Sequence, residues 1–349
     1  MIELNTYCIP QTATIREALK RINETSGSGQ MLFVLNDKQQ VVATLSDGDI
    51  RRGLIAGHEL NESVEQIMFR NFRYLKEGNI QIEQLRQFRE KQLPVVPVLD
   101  AEWHLCDIIN LKKQKSLLPI DAVIMAGGKG ERLRPLTLTT PKPLLPVGSK
   151  AIIDHNVDRL ISYGVEHISV TVNYLAEQLE EHYKEPHQDV QVECLREPKF
   201  LGTMGAVRLV KEFHNDVVLV MNSDLFTDID FEDMYLHFIE NGADMSIAAV
   251  PYTVSIPFGI CDLEGRDVKG IVEKPTYNYY ANAGIYMIRK SVVNSIPKNE
   301  YYNATDLIET LVSDQHKVIR YPLKGTWIDI GSMSEYQKAQ DLAKHMYIK

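Results

Sequence analysis

DAVIMAGGKGERLRPLTLTTPK, Asp121 to Lys142, decides how the chain is read. Its first six residues form a short apolar run of the kind that fills a strand buried on both faces. A glycine-rich turn follows at once, carrying Lys129, Arg132 and Arg134, and then Lys142 held between Pro141 and Pro143. Glycines let backbone approach a ligand, cations select anions, and prolines restrict the chain that presents the lysine. Neither familiar phosphate-loop pattern fits. A dinucleotide fingerprint needs a third glycine where Leu133 stands, and a Walker loop needs a hydroxyl residue after Lys129, where Gly130 stands.

Outward from this stretch the pattern alternates. HISVTV (167–172) and DVVLVMN (216–222) are further apolar runs. Between the runs lie the helical patterns AIIDHNVDRLISYG and GAVRLVKEF. Strands alternating with helices predict a doubly wound, mostly parallel α/β sheet. Ligands of such sheets sit beyond the carboxyl ends of the strands, where the opening loop and Asn222-Ser223-Asp224 both fall.

KKQKSLLP (112–119) predicts the domain boundary, giving units 1–118 and 119–349. In the front unit, TIREALKRINETSGSGQ reads as a helix, followed by two strands around Asn36-Asp37 and a second helix. NIQIEQLRQFREKQ and LPVVPVLDAEWHLCDIINL repeat that order about 60 residues later, which predicts a tandem pair of small α+β modules.

Composition narrows the function classes. Formal charge is −9 over 349 residues, and residues 1–119 hold 15 Lys and Arg against 15 Asp and Glu, so the excess lies in the rest. No basic face for nucleic acid is expected, although local cations and a metal ion still let an acidic protein bind nucleotides. The four cysteines are scattered without metal-ligand spacing, so reduced thiols are expected. The histidines show no zinc spacing, and Met125, Met221 and Met287 read as core. No run approaches the roughly 20 apolar residues that span a bilayer, and a cytoplasmic location is expected.

Seven segments in order resemble the sugar-phosphate nucleotidyltransferases, whose signature is G-G-x-G-[ST]-R-L followed by a threonine-bearing stretch and P-K-P. Here they read Gly127-Gly128-Lys129-Gly130-Glu131-Arg132-Leu133 with Pro141-Lys142-Pro143, then EPKFLGTMG (197–205), Asn222-Ser223-Asp224, Pro257-Phe258-Gly259, Glu273-Lys274-Pro275, Asn282-Ala283-Gly284 and Trp327-Ile328-Asp329-Ile330-Gly331. Glu131 replaces the usual hydroxyl residue. The resemblance implies an enzyme that joins a sugar 1-phosphate to a nucleoside triphosphate with loss of pyrophosphate. Gly127, Gly128, Glu197, Gly202 and Thr203 would bind the nucleotide. Arg132 would meet its phosphates and Lys142 the reacting α-phosphate. Asp224 and Asp329 would hold Mg²⁺, and Gly259, Glu273, Lys274 and Asn282 the sugar phosphate. The attacking phosphate oxygen is already an anion, so the task is to align two anions and stabilise charge.

In the front unit, ATLSDGDIRR resembles the end of a CBS module, which implies a regulatory adenine nucleotide gripped by Ser46 and Asp49. The second module lacks that pair. CBS pairs commonly stack, so a homo-oligomer is expected. Chains resembling the whole arrangement include guanylyltransferases acting on mannose, heptose or glucosamine 1-phosphate, the last in legionaminic acid synthesis. GTP is therefore the favoured nucleotide, in the making of surface polysaccharide or nonulosonic acid. A non-catalytic nucleotide sensor is the alternative reading. Its expected mark, loss of Arg132, Lys142 or a metal aspartate, is absent.

Overall fold

In the computed structural model, which describes residues 4–24, 31–78 and 80–346, the run ending at Met125 forms the strand Ile120–Met125 near the middle of a seven-stranded sheet. Across the sheet the order is Val192–Arg196, His167–Val172, Ile120–Met125, Val217–Asn222, Thr276–Arg289, Met245–Ser255 and Val318–Pro322. The first four are mutually parallel. Thr276–Arg289 runs antiparallel to both its neighbours, and the edge strand is parallel to Met245–Ser255. The central strands read as unbroken apolar runs because both their faces are covered: Val218, Leu219, Val220 and Met221 are fully buried. Each such side chain contributes roughly 1.5–3 kcal/mol on burial. Helix Ala304–Ser313 adds Leu307 and Leu311 to the same cluster.

After Ile120–Met125 the next strands are laid down on one side, and after Val217–Asn222 on the other. The two carboxyl ends therefore flank a topological switch point, the crevice where such sheets bind ligands.

GAVRLVKEF does not form the expected helix. An α-turn, Gly202–Gly205, ends at its first residue, and the stretch itself yields only a 3₁₀ turn, Ala206–Leu209, before Val210 turns extended. The segment is pinned instead to the stretch before helix Ala304–Ser313, where the Tyr302 carbonyl accepts from both Met204 and Gly205 N–H.

The chain divides into two compact units, Met1–Leu117 and Leu118–Lys349. The first contains a strand–helix–strand–strand order twice: Cys8–Pro10, Ile15–Glu24, Met31–Leu35, Val41–Ser46, then Leu75–Lys76, Ile82–Glu90, Val95–Leu99, Leu105–Asn110. The repeat is 64 residues in detail. Register shifts fall at Val34/Leu35 and at Val98/Leu99. Asn36 Oδ1 accepts from Lys38 and Gln40 N–H, as Asp100 Oδ1 does from Glu102 and His104. Gln39 and Trp103 both take positive φ. Gln40 and His104, equivalent at this spacing, pair as an antiparallel bridge, so the two modules face each other about an approximate two-fold axis. Part of the first predicted helix, residues 25–30, lies outside the described residues.

Candidate active site

The loop after Met125 is shaped by its glycines. A side chain at Gly127 would collide with Glu197 Oε1, so only glycine lets the loop close on that buried carboxylate. Gly130 takes φ +60°, and Thr137 Oγ1 donates to its carbonyl at 2.8 Å, folding the segment back so that the Lys142 stem lies against Gly130. Pro141 then starts the short 3₁₀ turn Lys142–Leu144, which leaves Lys142 buried along its stem.

Lys142 meets a carboxylate. Its Nζ pairs with Asp224 Oδ2, with both side chains about four-fifths or more removed from solvent. Asp224 follows strand Val217–Asn222, and strand Leu225–Thr227 pairs antiparallel with Trp327–Asp329, setting Leu225 opposite Asp329. Ile330 N–H donates to the Asp224 carbonyl, which fixes the two aspartate-bearing segments together. Burial, and next the Asp224 charge, hold the Asp329 carboxyl above the ordinary carboxylate range, against the pull of Lys142 and Arg132. The Arg132 guanidinium lies over Gly331, where a Cβ would sit 2.8 Å from Nη2.

A cavity of about 420 Å³ opens at this place. Gly127, Gly128, Arg132, Lys142, Glu197, Gly202, Thr203 and Asp224 line it, all singled out from the sequence. Phe200, Asn222, Ser223 and Gly331 line it too, without having been assigned a role. Phe200 stands 56% exposed, and no local signal in the sequence marked it. Met125 is half-buried, packing against the core cluster and also lining the cavity, whereas Met221 and Met287 are fully buried.

Glu197 accepts from Leu201 N–H at 2.9 Å through Oε2, while Oε1 faces Gly127; burial pushes its carboxyl pKa up. Gly202 and Thr203 have structural partners as well. Gly202 takes φ +75° against the Tyr302 carbonyl, and Thr203 Oγ1 accepts from Ala304 N–H at 2.8 Å, capping that helix.

Two carboxylates beside two cations and a glycine loop suit a polyphosphate with a divalent cation. Asp224 and Asp329 carry hard oxygen donors of the kind that Mg²⁺ takes when phosphates fill its remaining positions. Among the described residues no cluster of three or more His, Cys, Asp or Glu side chains forms, so an all-protein metal cage is not present there.

The expected sugar-phosphate residues are not brought to this cavity. Gly259, Glu273 and Lys274 sit on an exposed two-stranded arm. There the site of a Cβ on Gly259 lies 2.9 Å from Glu273 Oε2, and Lys274 takes φ +44°. Asn282 stands at the arm's base, donating to Tyr286 Oη and accepting from Gly284 N–H. Gly284 in turn packs on Asn222, which lines the cavity.

Ser46 and Asp49 lie in the front unit and bond to each other. Ser46 caps helix Asp47–Ile55, its Oγ accepting from Asp49 N–H and donating to Asp49 Oδ2 at 2.6 Å, while Asp49 Oδ1 holds Arg52. The positions 64 residues on are Asn110 and Lys113, and no helix follows there. Among the described residues no helix is long and apolar enough to cross a membrane.

Residues 121–345 match the family model described as Nucleotidyl transferase. The catalytic subunits beta of mannose-1-phosphate guanylyltransferase from Danio rerio and Drosophila melanogaster are each 30% identical to this chain, over 62% of it and 62% and 60% of their own lengths. The chain thus spans about three fifths of the curated relatives it matches. Among solved structures, HddC from Yersinia pseudotuberculosis complexed with GMP-PN is 25% identical, with a TM-score of 0.50 over 64% of this chain and 98% of its own. A Bacillus anthracis protein named as a glucose-1-phosphate thymidylyltransferase, complexed with sucrose, shares the fold at 24% identity and a TM-score of 0.51, over 64% of this chain and 95% of its own.

Proposed function

The chain belongs to the nucleotidyl transferase family, and from that premise we propose that it transfers a nucleoside monophosphate, GMP by preference, from the triphosphate to a sugar 1-phosphate, releasing pyrophosphate. The observation that carries the reading is the convergence of the Gly127–Gly130 loop, Arg132, Lys142, Glu197 and Asp224 on one cavity at the switch point of the sheet.

Each residue has a task that its surroundings suit. Backbone N–H groups of the glycine loop and the Arg132 guanidinium receive the triphosphate. Lys142 exchanges its Asp224 partner for the α-phosphate and meets the charge that builds there. Asp224, once released, and Asp329 would hold Mg²⁺, which would supply charge neutralisation at the phosphates. No general base is needed, because the nucleophile arrives as an anion. The buried cation and carboxylate neutralise one another until substrate replaces the contact.

Guanine is favoured by Glu197 as well as by the likeness to guanylyltransferases and to a structure complexed with GMP-PN. An acceptor carboxylate facing the cavity matches the two adjacent donors, N1–H and N2–H₂, of guanine, whereas uracil and thymine offer one N–H. Glu273 and Lys274 take the sugar phosphate, with Gly259 and Asn282 lining its pocket. The front pair acts as a CBS-type regulatory unit that binds an adenine nucleotide at Ser46 and Asp49, in a homo-oligomeric cytoplasmic enzyme of surface polysaccharide or nonulosonic acid synthesis.

The test is to incubate the full chain and Mg²⁺ with four nucleoside triphosphates and a panel of sugar 1-phosphates and to measure pyrophosphate. Release from GTP with mannose, heptose or glucosamine 1-phosphate is expected; none from any pair would end the reading.

A further inference from the structure

Residues 197–201 form a small loop that its own carboxylate closes. Glu197 N–H donates to the Val172 carbonyl at 2.9 Å, which ties the loop to the end of strand His167–Val172, and Glu197 Oε2 accepts from Leu201 N–H at 2.9 Å. On the far side the Leu201 carbonyl accepts from Tyr302 N–H at 2.9 Å, and the Tyr302 carbonyl accepts in turn from Met204 and Gly205 N–H. The backbone on both sides of Phe200 is therefore fixed. Two adjacent apolar residues then part: Leu201 is fully buried, whereas Phe200 is left exposed on the cavity.

The Phe200 ring also has a brace. Tyr301 stands beside it, with ring centroids 5.9 Å apart and planes inclined at 46°, and the Tyr301 hydroxyl accepts from Asn303 Nδ2 at 3.1 Å. The bond between Leu201 and Tyr302 sets the two rings side by side, and a tilted aromatic pair favours one mutual orientation. A single exposed phenylalanine is ordinary on a protein surface. This one lies on a cavity, on a backbone tied at both ends and against a second ring, so its flat apolar face is held ready for a flat ligand.

We propose that Phe200 is the platform on which the base of the nucleotide stacks, with Tyr301 as the positioning residue behind it. The assignment rests on the transferase reading above for the identity of the cavity's ligand. Three observations favour the base over the phosphates or the sugar. Phe200 and Glu197 share one closed loop, which thus offers a face for a ring and an acceptor for its edge. The cations suited to phosphates are held by other segments, Arg132 over Gly331 and Lys142 against Asp224. A phenyl ring gives no hydrogen bond to a phosphate or a hydroxyl, whereas every base has a π-face that stacks on it. Stacking is tolerant of which base it holds, so Phe200 supplies affinity and Glu197 the choice.

The experiment is calorimetry on the full chain with Mg²⁺ and no sugar phosphate. It compares GTP with ribose 5-triphosphate, which carries the phosphates without a base, on wild type, Phe200→Ala and Phe200→Trp. Phe200→Ala is expected to weaken GTP about tenfold or more, the scale of one lost base–aromatic contact, and to leave ribose 5-triphosphate unchanged. Phe200→Trp is expected to keep the GTP affinity. Its added indole fluorescence, read as the difference from wild type, is expected to be quenched by GTP and not by ribose 5-triphosphate. Unchanged GTP affinity in Phe200→Ala overturns the proposal, and so does an equal loss for both ligands, the mark of a merely structural role. Should Phe200→Ala fail to fold, the Phe200→Trp variant decides, and absence of quenching at saturating GTP overturns the proposal. A wild type that binds GTP no more tightly than ribose 5-triphosphate overturns it as well. If wild type binds GTP but releases no pyrophosphate with any sugar 1-phosphate, the transferase reading fails by itself and the calorimetric contrast still decides Phe200.

Discussion

The cavity and the arm carry motif residues of equal clarity in the sequence, yet they are presented in opposite ways. Lys142 is buried and Asp224 and Asp329 half-buried, held by a 3₁₀ turn and a two-stranded pairing, with Lys142 and Asp224 neutralising one another. Gly259, half-buried, stands just before the strand Ile260–Glu264, and Glu273 and Lys274 lie exposed in the bend after Asp267–Val272, on a ribbon whose strand residues are exposed throughout. A motif records which side chain a chemistry needs, whereas packing decides whether the same chain positions it. Pre-organised groups act on the barrier and loosely held groups on capture, so variants of the two regions separate in kcat and KM.

The largest effect is expected at Lys142. Lys142→Ala lowers kcat by about 10³-fold, the scale of losing one positioned group that meets developing charge, with little change in GTP affinity by calorimetry. A defect confined to affinity would make the cavity resemble the arm and break the contrast.

Asp329→Asn is expected to lower turnover about 10²-fold while raising the melting temperature of the metal-free protein by a few degrees at pH 7. The sign follows from its raised carboxyl, whose charged form is disfavoured in the folded state. That group favours folding when protonated, and the benefit is lost as pH rises through its folded pKa. The gap between variant and wild type therefore narrows as pH falls toward the ordinary carboxylate range, as melting scans over pH 4–8 would read. A variant that melts lower at every pH would contradict this.

Glu273→Ala and Lys274→Ala each raise KM for the sugar 1-phosphate about tenfold and leave GTP affinity unchanged, as initial-rate kinetics at saturating GTP would report. Glu197→Gln sharpens the cavity side: its ratio of kcat/KM for GTP over UTP should fall about tenfold, because the amide presents one donor to guanine where two acceptors stood.

The smallest effect lies in the front unit. Ser46→Ala removes a helix cap and lowers that unit's stability by about 1 kcal/mol in urea melts, without touching basal turnover. A measured loss of adenine-nucleotide binding in the same variant would add a ligand role to the cap.

Much of the cavity was legible because its residues follow strand ends. The runs ending at Met125 and Asn222 announce buried parallel strands, and the rule for such sheets then says where Gly127 and Asp224 must lie. Phe200 was not legible, since nothing local tells a cavity aromatic from a core one. Nor was the failure of the helix at GAVRLVKEF (205–213), where the Met204 and Gly205 N–H groups bond instead to the Tyr302 carbonyl, about a hundred residues away.

The sequence by itself determined the strand and helix alternation, the tandem front modules and the chemical inventory of the site, because these follow from local periodicity and residue type. Only the tertiary structure decided the 64-residue register of the modules, the burial that raises Asp329, the pairing of Lys142 with Asp224, and the separation of Glu273 and Lys274 from the cavity. Each of these depends on which distant segments meet, and burial and charge are properties of that meeting, which no single stretch of chain contains.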